Sequence, residues 1–114
     1  VIRLRTTAAF GTVFAASETV ISVSQPPGCC HRGGTIAFDK AGRLVINLGD
    51  GGGSGLAQDA SSQFAMLLRI DPATDSFPAD AQRNYSIPPA NSFASGGQPE
   101  IWAIGLRNPV RGRI

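Results

Sequence analysis

Residues 35 to 48 read Thr35-Ile36-Ala37-Phe38-Asp39-Lys40-Ala41-Gly42-Arg43-Leu44-Val45-Ile46-Asn47-Leu48. The runs Thr35 to Phe38 and Leu44 to Leu48 are short, apolar and rich in β-branched residues, which suits strands. Between them Asp39-Lys40-Ala41-Gly42 forms a hairpin loop, with Gly42 at the position that takes a positive φ. A loop of that length pairs residues whose numbers add to about 81 when the strands run antiparallel. Carried outward, the register sets His31 opposite Asp50, give or take one position. Directly opposed residues have Cβ atoms roughly 4.5–5.5 Å apart. The only histidine of the chain and an aspartate therefore meet at one glycine-rich end of the hairpin.

Two readings of that meeting stand side by side. A surface Asp–His pair is worth under about 1 kcal/mol and does nothing further. Alternatively, the aspartate holds one ring N–H, fixes the tautomer and makes the other ring nitrogen a better proton acceptor. Gly33, Gly34, Gly49 and Gly51 favour the second reading, because they clear side chains from around the pair.

Composition bounds the rest. The chain has 114 residues and is 42% hydrophobic, enough for one small core. Only 16% of residues are charged and the net charge is +2, so disorder is not expected. The basic residues are scattered apart from Arg107, Arg111 and Arg113, which argues against a nucleic-acid patch or a polybasic membrane segment. No apolar run approaches the roughly 20 residues a bilayer-spanning helix needs. The cysteines, Cys29 and Cys30, are adjacent. A bridge between neighbours is strained, so free thiols are expected, and one histidine with two cysteines does not make a zinc set.

Short apolar runs punctuated by 14 Gly and 8 Pro continue along the chain. Val1 to Thr6 alternates, and Val20 to Ser24 is β-branched and strand-like before Pro26-Pro27-Gly28 stops it. Ala15 to Thr19 is ambiguous. Ala57 to Phe64 can hold a short helical turn, Met66 to Ile70 is a strand, and Glu100 to Ile104 is the last one. Residues 72 to 99 form a long excursion with little regular structure. Several short strands between turn signals indicate an all-β domain of the sandwich, barrel or propeller kind. The run Gly49 to Gly55 is not a phosphate loop, for no Gly-Lys-Ser/Thr follows and no βαβ unit surrounds it. Nor does it carry the regularly spaced aspartates of a calcium-binding glycine repeat.

An ordered series of motifs now bears on function. His31-Arg32-Gly33-Gly34-Thr35-Ile36-Ala37-Phe38, Gly42-Arg43-Leu44 and Gly49-Asp50-Gly51-Gly52 are followed by Leu68-Arg69-Ile70-Asp71-Pro72. Tyr85-Ser86-Ile87-Pro88, Asn91-Ser92-Phe93, Pro99-Glu100-Ile101-Trp102-Ala103 and Gly105-Leu106-Arg107-Asn108-Pro109 complete it. The series resembles the glucose/sorbosone dehydrogenase family, the soluble quinoprotein sugar dehydrogenases, over nearly the whole chain. That resemblance implies a six-bladed β-propeller with pyrroloquinoline quinone on its axis and calcium beside the quinone. It implies His31 as the general base, Asp50 as its support, and Arg107 and Asn108 as cofactor contacts. It further implies an aldose oxidised at its anomeric carbon to the lactone, an external electron acceptor, and a periplasmic or secreted location.

The chain departs from the family pattern in places. Cys30 and Arg32 flank the histidine where members usually have Asn, Phe64-Ala65-Met66 replaces a common Leu-Gly-Lys, and Val110 replaces an aromatic. A propeller closes with about four to eight blades of four strands. The strands here make about two, so residues 1–114 are expected to be an internal fragment, with the calcium ligands outside it. On this expectation residues 33 to 71 form most of one blade and residues 100 to 105 an inner strand of the next. A non-enzymatic propeller module used for protein recognition is the alternative, since fold alone does not settle function.

Overall fold

The computed structural model describes residues 1–6, 14–24, 28–53, 55–93 and 95–112. Pro26-Pro27, Ser54 and Arg113, which figured in the sequence reading, lie outside the described residues. The chain divides into two compact units, Val1–Ser22 with Pro72–Ser86 and Val23–Asp71 with Ile87–Ile114.

In the first unit, β1 (Ile2–Thr6) and β2 (Phe14–Thr19) pair antiparallel, Ile2 opposite Thr19 and Arg3 opposite Glu18. The opposite charges at Arg3 and Glu18 favour that register, the pair closing at 2.9 Å, while the apolar residues of the alternation, Ile2 and Leu4, stay exposed. The ambiguous stretch is thus a strand. Val20 to Ser24, expected as one, is not. Its backbone is spent piecemeal: Val20 N–H donates to Val1 O, Ser22 N–H to Gln82 O, and only Ile21 forms a bridge, with Arg83. Irregular partners offer no continuing ladder, so β-branched composition alone could not extend it. Val20 and Ile21 are nevertheless buried, as is Tyr85, whose ring meets Phe77 edge-on at 5.4 Å between centroids.

The second unit is built on a four-stranded antiparallel sheet, in the order β3 (Gly33–Phe38), β4 (Leu44–Leu48), β5 (Leu67–Ile70), β6 (Ile101–Ala103). Leu44 opposes Ile70, Ile46 opposes Leu68, and Leu68 opposes Ile101. These five side chains share one face and are 0–4% exposed. Val45 and Arg69 oppose each other on the other face and are also buried. A strand covered on both sides needs no polar alternation, which is why Leu44 to Ile46 is an unbroken apolar run.

β6 corrects the sequence reading. It pairs with β5 and completes the same sheet, where an inner strand of the next blade was expected. The long excursion returns because Asn91 Nδ2 donates to Arg69 O at 2.8 Å and to Pro99 O at 2.9 Å, pinning the chain before β6 beside β5. Arg69 Nε donates back to Asn91 Oδ1 at 2.9 Å, and its guanidinium lies 4.8 Å from the Trp102 ring centroid. The expected helical turn is a single 3-10 turn at Leu56–Gln58.

Candidate functional site

The site forms where the β3–β4 hairpin opens. Near the turn, partners are Phe38 with Leu44, Ala37 with Val45 and Ile36 with Ile46. An irregularity between Gly33 and Ile36 shifts the register by one, so that Gly33 opposes Leu48. That shift sets His31 across from Asp50. The two chain segments approach closely here: Gly51 N–H donates to His31 O at 3.2 Å, and a Cβ at Gly49 would overlap the same carbonyl. Only glycine fits at 49. His31 itself takes the left-handed conformation, φ 53°, which histidine adopts more readily than most residues.

His31 Nδ1 and Asp50 Oδ1 are 2.7 Å apart. The imidazole is 17% exposed and the carboxylate 6%. Gly52 N–H donates to the same Oδ1 at 2.8 Å, an Asx turn that holds the carboxylate in place. The Asp50 carboxyl is held below its ordinary pKa, chiefly by the Gly52 N–H. Burial pulls the other way, while the His31 hydrogen bond and the charges of His31 and Arg107 add to the lowering. An ionised Asp50 accepts from Nδ1–H. That leaves Nε2 as the ring nitrogen able to accept a proton.

Arg107 reaches this end of the sheet through its backbone. Gly105 N–H donates to Ala57 O, Leu106 N–H to Ala65 O, and Asp50 N–H to Arg107 O at 3.0 Å. The segment after β6 is thereby laced to the loop after β4. Asp50, Gly52, Gly53, Ala57 and Arg107 line an open recess of about 290 Å³. Of the four residues singled out from sequence, the structure pairs His31 with Asp50 and brings Arg107 against Asp50. His31 does not line the recess, and Asn108 is exposed outside it. Sequence reasoning missed Gly52 as a holder of the carboxylate, although Asp-x-Gly is itself a turn signal. It also missed the main-chain ties of Gly105 and Leu106, which side-chain identity does not announce.

Cys29 and Cys30 are free thiols, as expected. Among the described residues no group of three or more His, Cys, Asp or Glu side chains could hold a metal ion, and no helix is long and apolar enough to cross a membrane.

Known proteins resemble this chain in sequence and in fold. The chain is 39% identical over 111 residues to the HIPL2 protein of Arabidopsis thaliana, covering 84% of this chain and 16% of that one. It is 38% identical over 98 residues to the HIPL1 protein of the same plant, covering 75% and 14%. It is 37% identical over 81 residues to the aldose sugar dehydrogenase YliI of Escherichia coli strain K12, covering 69% and 19%. A solved oxidoreductase (glucose dehydrogenase) from Thermus thermophilus superposes with a TM-score of 0.58 at 29% identity, over 76% of this chain and 23% of that one. A solved glucose dehydrogenase gives 0.53 at 31% identity, over 69% and 20%. The chain therefore spans less than a fifth of the curated relatives it matches. Its all-β sheet is a blade of the β-propeller that such glucose dehydrogenases form. The profile for glucose/sorbosone dehydrogenase matches residues 1–113, and the chain belongs to that family.

Proposed function

We propose that this chain carries the proton-accepting part of a sugar dehydrogenase dependent on pyrroloquinoline quinone. The observation that carries the reading is the 2.7 Å contact between His31 Nδ1 and Asp50 Oδ1, at a carboxylate kept ionised by Gly52. Asp50 fixes Nδ1–H, so Nε2 accepts the proton of the anomeric hydroxyl as the sugar is oxidised to its lactone. The resulting imidazolium is stabilised by the same carboxylate.

The residues at the recess suit a planar, polyanionic quinone. Glycines leave its floor free of side chains, and Arg107 supplies positive charge at its edge. When bound, the quinone supplies the two-electron acceptor for the hydride. Arg107 would hold it and would stabilise negative charge developing on oxygen, an effect often worth several kcal/mol, whereas Asn108 stands outside the recess. Calcium belongs to the same assembly with ligands outside this chain. An external electron acceptor and a periplasmic or secreted location follow from the family reading.

A chimera tests this directly: residues 1–113 replace the matching segment of the Escherichia coli aldose sugar dehydrogenase, loaded with quinone and calcium. Dye reduction with an aldose panel is expected, and loss of it in His31→Ala. A folded, quinone-binding chimera that turns over equally well without His31 would overturn the proposal. The 114-residue chain alone is expected to give no turnover above a quinone blank, since one blade cannot hold reacting atoms about 3–3.5 Å apart in fixed orientation.

The second reading, a propeller used for protein recognition, is favoured by Ile36 and Phe38. These lie 50% and 63% exposed on the edge strand β3. It predicts a chimera that binds no quinone.

A further inference from the structure

Cys29 and Cys30 stand immediately before His31 and have no part in the chemistry above. In an extended chain neighbouring side chains leave on opposite faces. Here a bend at residues 28–30 brings both thiols to one side, with Sγ atoms 2.7 Å apart. Both lean over Gly52, where a Cβ would lie 2.9 Å from Cys30 Sγ and 3.7 Å from Cys29 Sγ. Gly52 is the residue whose N–H holds Asp50. Cys29 is exposed and Cys30 half-buried, so the pair is open to reagents rather than packed as core.

We propose that Cys29 and Cys30 form a reversible thiol–disulfide site whose closure releases His31 from Asp50. Neighbouring Cα atoms are about 3.8 Å apart across a trans peptide, well short of the roughly 4.4–6.8 Å usual across a disulfide. Closing the ring therefore twists the backbone at residues 29–30. His31 follows directly, in a left-handed conformation and with its carbonyl wedged at Gly49 and bonded to Gly51 N–H. A twist at Cys30 is passed to its next residue, His31, and so bears on the ring held by Asp50.

The oxidant is a low-molecular-weight disulfide of the glutathione type. Cys29 thiolate attacks one of its sulfurs, the external S–S bond breaks, and one thiol leaves with a proton. Cys30 then gives up its proton, its thiolate attacks Cys29 Sγ, and the second external thiol is expelled. Two protein thiols are oxidised to one disulfide, and the external disulfide is reduced to two thiols. Cys29 is the more exposed thiol and so the first attacker, while the hydrogen bond with Cys29 and then burial raise the pKa of Cys30. A strained product is readily reduced again.

The test uses the sole histidine, whose ring gives a single assignable NMR signature. The 114-residue chain is treated with oxidised glutathione and examined by intact mass, thiol count and imidazole spectra. The expected product lacks two hydrogens, carries no glutathione, and counts zero thiols instead of two. Its His31 ring signals move from a carboxylate-bonded to a solvent-exposed pattern, and dithiothreitol reverses all three changes. Cys30→Ser is expected to take one glutathione at Cys29 and never to close a ring. A lasting glutathione adduct or a disulfide dimer in the unsubstituted chain would overturn the proposal. So would a closed ring that leaves the His31 signals where they were. None of these readouts depends on sugar turnover, so the result is separable from the dehydrogenase reading.

Discussion

At the turn of the β3–β4 hairpin, Asp39 Oδ1 accepts the N–H groups of Ala41 and Arg43 at 2.9 and 3.0 Å. At the open end, Asp50 Oδ1 accepts the N–H of Gly52 at 2.8 Å. The local devices are alike; their second partners differ. Asp39 Oδ2 takes Arg43 Nε at 2.7 Å, a residue of its own turn. Asp50 takes His31, nineteen residues back and across the sheet. Aspartates that cap their own turns recur at Asp59, Asp75 and Asp80. Such a turn is architecture. What separates the open end is an imidazole partner delivered by the segment before β3, near a recess.

The sharpest way to break this contrast is to remove each end's partner inside the complete chimera. His31→Ala is expected to lower turnover by about 10²–10⁴, the usual range for loss of a general base. Asp39→Ala is expected to leave turnover per folded molecule unchanged while lowering the melting temperature. Steady-state assays corrected for folded fraction decide it, and equal losses at both ends would erase the distinction.

The glycines offer a smaller but cleaner comparison. Gly42→Ala meets nothing within 4 Å, yet sits at φ 79°. Its cost is the left-handed strain of an L-residue, about 1–2 kcal/mol. At Gly49 no unusual φ is involved, but the new methyl overlaps the His31 carbonyl. Gly49→Ala is expected to cost more stability and, uniquely, to shift the His31 ring signals. Urea unfolding of both variants, with the histidine spectrum of each, tests the ordering. An undisturbed His31 in Gly49→Ala would mean that the two segments are not in close approach.

These positions also show what could be read in advance. The hairpin was legible because a short loop with Gly42 sits between two apolar runs; Phe38 opposes Leu44 rather than Arg43, a difference inside the one-residue tolerance of such a reading. The one-residue shift at Gly33 fell inside that tolerance, so His31 and Asp50 were placed together correctly. The sheet assignment of β6 was not legible, because the bonds that return the chain run from Asn91 to backbone carbonyls on β5 and before β6. No periodicity encodes such a link. Val20 to Ser24 misled for the opposite reason: its composition suits a strand, but its N–H groups find isolated partners. Arg107 was singled out only through resemblance to a family. The main-chain bonds that bring it to Asp50 have no residue signature.

Acid provides the finest distinction. At Asp39 burial pushes the carboxyl up, but the N–H groups of Arg43 and Ala41 and the Arg43 side chain outweigh it, and the pKa is lowered. Asp50 is lowered too, first by Gly52 N–H. A carboxyl with a folded pKa below its unfolded value of about 4 stabilises the fold above that pH. As pH falls through the folded value the unfolded state binds the extra proton and that stability is lost. Both ends should therefore loosen below about pH 4, and neither should change between pH 5 and 8 on this account. In urea titrations from pH 5 downward, Asp39→Asn and Asp50→Asn are each expected to flatten the fall in stability, because an amide has no proton to gain. The histidine spectrum tells the ends apart: Asp50→Asn moves the His31 signals at every pH, and Asp39→Asn moves them at none. An acid slope untouched by Asp50→Asn would mean that Gly52 and His31 do not hold this carboxylate in its charged form.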